Sequence, residues 1–166
     1  MKSKLLGFVA LIFLWGGVTL AAILPAGSLD SSFGPDKNGM IRTTIQDTTL
    51  VANTALLQSN GKIIVAGYSQ AYGEDKDFLL MRYDPNGTGG DIFAIADISR
   101  LVGNPDKDDE INAIALQGEK IIAAGYVTEG TSKRAVLIRL NSDGKLDETF
   151  GNQGIKTKRS SKGIIR

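Results

Sequence analysis

The sequence predicts an all-β protein, with antiparallel sheets built from two repeats of about 58 residues that follow an N-terminal signal helix. Three observations predict it. A pattern of residues recurs at nearly fixed spacing, which is the signature of a repeat architecture. The apolar runs are short and bounded by turn residues, and no stretch after the leader has the three-and-four spacing of a helix. Twenty glycines stand against three methionines and one tryptophan, a composition suited to many turns.

The chain begins with Met1 to Lys4, carrying two positive charges, and Leu5 to Leu24 follows without a charged residue. A basic start, an apolar stretch and small residues after it make a secretory leader. Thr19-Leu20-Ala21 presents small side chains at the last and third-last positions, so residues 1–21 are expected to be removed. The protein is then exported, to the periplasm, the cell surface or the medium. An uncleaved leader is the alternative, since twenty apolar residues can just cross a bilayer. The membrane would be a partner only in that case.

The repeat is carried by several elements. GKIIVAGY (61–68) recurs as EKIIAAGY (119–126), 58 positions later, and TALLQ (54–58) matches AIALQ (113–117). DFLLMRYDPNG (77–87) recurs as AVLIRLNSDG (135–144), with Arg82 matched to Arg139. LDSSFGPDKNGMIRT (29–43) recurs as LDETFGNQGIKT (146–157), whereas the middle copy near 89–94 keeps only Asp91 and Phe93. The repeat domain spans 22–157, in units of about 27–87 and 88–145 and a partial third of 146–157. The basic stretch 158–166 is expected to be a flexible tail.

Each unit reads as strands. Ile63–Ala66 is a buried strand entered through the Asn60-Gly61 turn, and Phe78–Tyr83 is a second, closed by Asp84-Pro85-Asn86-Gly87. Residues 52–58 and 111–117 supply the preceding strand of each unit, and 40–45 one more. The polar residues 69–76 read as a loop.

These elements resemble the bacterial delta-60 repeat: LDxxFG, then G-[IMV]-x-T, a GKIIVAGY-like strand, and an FLLMRY-like strand ending in Asn-Gly. The resemblance covers residues 27–157. It implies propeller-blade-like sheets and export, and it supplies no catalytic residues. A propeller closes with four to eight blades. Two units cannot, so the resemblance predicts an incomplete or open sheet array whose edges are available for self-association. A small open sandwich of two sheets and a truncated remnant of a longer repeat protein are the other two outcomes.

Composition excludes several chemistries. There is no cysteine and no histidine, so disulfides, thiolate metal sites and the usual base of hydrolytic triads are absent. No enzyme and no cofactor is expected. Without the leader lysines, 17 of the 19 basic residues face 18 acidic ones; the last eleven residues hold five more of those bases and no acid. The remaining body has 12 against 18, and an acidic body argues against nucleic acid.

Two places merit weighing as sites. Asp84, Asn86 and Asp91, and likewise Asn141, Asp143 and Asp147, space oxygen-bearing side chains around a glycine as calcium loops do. Side-chain capping of a β-turn explains the same spacing, and is the commoner use. A carbohydrate-binding role for these turns is a further alternative, with Tyr68 and Tyr126 read as packing residues. Asp106, Asp108, Asp109 and Glu110 could hold a cation, but the expectation is a solvated loop. Arg82 and Arg139 are expected to pair with a carboxylate such as Asp30 or Asp147. The cationic end, Lys156–Arg166, could meet an anionic surface and is expected to fray.

Overall fold

The computed structural model describes residues 27–94 and 107–158, and there it is all-β, with no helix among the described residues. The signal segment and the last residues of the basic tail lie outside them. Strands β1 (Thr48–Leu57), β2 (Ile63–Ala71), β3 (Lys76–Tyr83) and β4 (Gly89–Ala94) form one antiparallel sheet in that order. Strands β5 (Glu110–Gln117), β6 (Lys120–Glu129), β7 (Ser132–Leu140) and β8 (Ile155–Lys158) form a second with the same order. Neither sheet closes into a barrel or ring; both are open, as incomplete propeller blades are.

The repeat extends to irregularities. Each first strand carries a bulge at the same place, between Ala52 and Thr54 in β1 and between Ile111 and Ala113 in β5. The bulge presses the backbone toward the next strand, where the motif places Gly67 and Gly125. A Cβ on Gly67 would strike the Val51 carbonyl, and one on Gly125 the Glu110 carbonyl. The glycine of the AGY element is therefore a close-approach residue. Extra residues at a bulge re-aim side chains, and here Asn53 is turned out of sheet 1 toward sheet 2.

Two expectations are corrected. Half of residues 69–76 are strand: β2 runs on to Ala71 and β3 starts at Lys76, pairing Ser69 with Asp77 and Gln70 with Lys76, which leaves only 72–75 as the turn. Polar composition hid this because the hairpin end has no apolar face to bury. Residues 40–45 form no strand beyond a single bridge from Ile45 to Thr48. They lie against sheet 1 and join no ladder.

The sheets stack face to face. Ile64, Ala66, Phe78 and Leu80 of sheet 1 are fully buried in one core with Ile111, Ile121, Ala123, Val127, Ile138 and Leu140 of sheet 2. Register shows that the contact is between unlike faces. Ala66 lies opposite Leu80, and Ala123 opposite Ile138. The repeat equivalents of Ala66 and Leu80 are Ala124 and Leu137, which point away from this core. The equivalents of Ala123 and Ile138 are Val65 and Met81, on the other side of sheet 1. That side holds a smaller cluster of Leu79, Met81 and Tyr83, packed by Ile41 and Leu50.

Gly67→Ala and Gly125→Ala are each expected to destabilise the fold by about 1–3 kcal/mol, because backbone must move to admit the methyl. Gly73, with nothing within 4 Å of its Cβ position, carries only its backbone preference. Urea midpoints of the three variants check this. Equal effects at all three positions would refute the close-approach reading.

Candidate functional site

The two LDxxFG elements build the same turn. Asp147 accepts from the Thr149 amide at 3.2 Å and its hydroxyl at 2.7 Å, while Asp30 accepts from the Ser32 amide at 2.8 Å and hydroxyl at 2.6 Å. The Phe150 amide donates to the Asp147 carbonyl and the Phe33 amide to that of Asp30. This is the self-capping that short polar side chains offer a turn.

In the second unit the turn is also an ion-pair centre. Arg139 Nε lies 2.6 Å from Asp147 Oδ2, and Lys120 Nζ lies 2.5 Å from the same oxygen. The Asp147 side chain is only 4% exposed, so both cations act where water screens poorly. The Lys120 hydrogen bond, then those of Thr149 and Arg139, hold its carboxyl well below the usual range against the opposing effect of burial. Phe150 lies beneath two cations, with the Arg139 guanidinium 4.6 Å and Lys156 Nζ 5.1 Å from its ring centre. The expected Arg139–Asp147 pair is therefore present.

Arg82 also makes a contact between units. Its guanidinium donates to the Ser142 carbonyl of the second unit at 2.9 Å, and Asp30 is engaged by Ser32. Gly90 stands where Asp147 stands one unit later, 57 positions on as Arg82 is to Arg139, so the middle motif offers no carboxylate at that position.

The calcium candidates are dispersed among such contacts. Asp84 accepts from Lys62 Nζ at 2.9 Å, and Asn86 accepts from the Thr88 amide and hydroxyl. Asp91 is exposed, opposite Arg82 in the β3–β4 register. Asn141 donates to the Leu146 carbonyl, Asp143 accepts from the Lys145 amide, and Asp147 is held as above. Among the described residues no three acidic side chains converge on a common point for a metal ion.

The acidic run before β5 corrects the sequence reading most. Asp106 lies outside the described residues, but Asp109 is fully buried and accepts from the Thr128 amide at 3.0 Å. Asp108 accepts from the Lys76 amide at 3.0 Å, and the Asp109 amide donates to the Lys76 carbonyl at 2.8 Å. Glu110 accepts from Tyr126 and Asn53 and lies 3.6 Å from Lys76 Nζ. This run is the latch between the sheets. Composition alone could not reveal it, because its partners are supplied by β1, β3 and β6.

Lys76 also sits 4.0 Å over the Tyr68 ring, and its repeat equivalent Lys133 sits 3.6 Å over Tyr126. Burial pulls the Lys76 ammonium down in pKa, but Tyr68, Glu110, Tyr126 and Asp108 together raise it. Asn53 completes the latch, donating to the Ile111 carbonyl at 2.8 Å.

Because the folded-state pKa of Asp147 is depressed, its contribution is complete above the ordinary aspartate value of about 3.9 and is lost as pH falls below it. Asp147→Asn should lower the urea midpoint at neutral pH, and the gap to the parent should narrow steadily as pH falls from about 4 to about 2. Parallel curves over that range would reject the assignment. Because Asp84 and Asp147 are already held by lysines, millimolar calcium should leave the thermal midpoint unmoved; a rise of several degrees would contradict that.

Comparison with known proteins gives one result. Residues 58–89 and 120–150 each match the family model described as "Domain of unknown function (DUF5122) beta-propeller". No curated protein and no solved structure matches the chain. The matched segments run from the hairpin before β2 into β4 and from β6 through the LDETF turn, so they fall on corresponding parts of the two sheets. Together with the paired sheets, they support a propeller-like repeat family for this chain.

Proposed function

We propose that this chain is an exported protein of the delta-60 repeat type, a non-catalytic structural or interaction module that works through its sheet surfaces. The observation that carries the reading is the stack of unlike faces. Sheet 1 meets sheet 2 through a contact whose two sides recur in every unit, and such an interface can be made again by another sheet. The polar and charged side chains described above are engaged in capping turns, in local ion pairs and in the latch between the sheets, which supports a structural use for them. The basic, then apolar, start of the chain supports export.

Expression of the whole chain in a secreting host tests the compartment. Protein recovered outside the cytoplasm should begin at or near Ala22 by N-terminal sequencing. Retention in the cytoplasm with Met1 intact would overturn the reading.

A further inference from the structure

Sheet 2 has one face that packs on nothing described. Its residues are the equivalents of those that sheet 1 buries completely: Ile122 for Ile64, Ala124 for Ala66, and Leu137 for Leu80. Leu80 is fully buried, whereas Leu137 is 41% exposed. The polar latch is duplicated there as well. Asn112 matches Asn53 at the bulge, and Lys133 over Tyr126 matches Lys76 over Tyr68. In sheet 1 these residues meet Glu110 and the Ile111 carbonyl. In sheet 2 neither the Asn112 nor the Lys133 side chain has a described contact outside its own unit.

The far side of sheet 1 is the equivalent of the face that fits this position. Leu79, Met81 and Tyr83 match Val136, Ile138 and Leu140, which fill the internal interface. That side is covered by residues 29–43, an LDxxFG element of the kind that ends a unit. The cover is held by Ile41 on the cluster, by Phe33 and Ile41 against Gly87, by the Thr43 and Tyr83 hydroxyls 2.7 Å apart, and by the Gly34 amide donating to the Asn86 carbonyl at 2.8 Å.

We propose that the Leu137 face of sheet 2 accepts sheet 1 of a second copy of this chain, stacked head to tail, once residues 29–43 of that copy move aside. This rests on the reading of the chain as an interaction module and names its partner and polarity. Continuity with the internal interface argues for it, since Ile122, Ala124 and Leu137 repeat three of the four buried residues of sheet 1, with Ala135 in place of Phe78, and the same asparagine and lysine recur. Packing two Leu137 faces on each other is disfavoured. Lys156 lies opposite Leu137 in the register, Lys158 opposite Ala135 and Lys133 opposite Thr128, so like charges would meet. A head-to-tail contact avoids this. It is weaker than the internal one, because Val51 stands where Glu110 would meet the lysine.

Sedimentation equilibrium of the mature chain, up to about 1 mM, tests the proposal. The parent should associate with rising concentration, and Leu137→Glu should remain monomeric with an unchanged thermal midpoint. Val51→Glu should tighten association about two- to fivefold, the range of a part-exposed ion pair, and should lose that gain in a Lys133→Ala background. Thr43→Val, which removes only the hydroxyl contact of the cover, should raise association. A parent that stays monomeric overturns the inference while the export result stands apart. Association indifferent to Leu137→Glu would mean that self-association uses another surface. A Val51→Glu gain that survives without Lys133 would overturn the pairing, and reduced association of Thr43→Val would overturn the cover.

Discussion

Everything in this fold depends on one contact, the packing of the Ile64–Ala66–Phe78–Leu80 face against the Ile121–Ala123–Ile138–Leu140 face. A four-stranded sheet alone has two wet faces and is marginal in water, because too little apolar area leaves solvent. Stacking removes one face of each sheet, and the dozen buried residues of this cluster are the result. The bulges, the close-approach glycines and the acidic latch all serve that contact. The bulge sends Asn53 across the gap, the glycine admits the bulged backbone, and Glu110 anchors the lysine that would otherwise be desolvated without a partner.

What could be read beforehand was what local pattern controls. The repeat, the strands 63–66 and 78–83, and the Asp84–Gly87 turn follow from short apolar runs and turn residues. The Arg139–Asp147 pair followed from two charged residues near one turn. Features set by distant chain were not legible. Ser69 to Lys76 are polar and read as loop, yet pair across a hairpin because their backbones meet. Met40 to Ile45 read as a strand, yet join no ladder, and Ile41 packs instead on the cluster of Leu79, Met81 and Tyr83. Asp109 reads as solvated because charged residues usually are. It is buried because Thr128 and Lys76 bring it backbone partners from two other strands.

The turns show how one motif can mimic another. Oxygen atoms spaced around a glycine are what a calcium ion needs, but they are also what a capped turn needs, and the difference lies in where the carboxylates point. Asp147 faces Lys120 and Arg139 and its own Thr149 amide. With two cations on one carboxylate the local charge is already positive, so a divalent ion would have to displace both. In the first unit the motif position of Asp147 is a glycine, and Arg82 donates to the Ser142 carbonyl, a bond between units.

The exposed face of sheet 2 carries a substitution that bears on its use. Where sheet 1 has Phe78, fully buried, sheet 2 has Ala135, so the largest apolar group of the repeat is missing from the face left open. That trims the exposed apolar patch, which in a soluble protein is kept small unless it meets something. Leu137 and Ile122 nevertheless remain, flanked by Lys133, Lys156 and Lys158. A face selected only for solubility would be expected to lose Leu137 first, because it is the large aliphatic group most open to water on this side. Its retention beside intact copies of the latch residues is what a face kept for a partner looks like. In the proposed head-to-tail contact the missing phenylalanine would leave less apolar area buried than inside the chain.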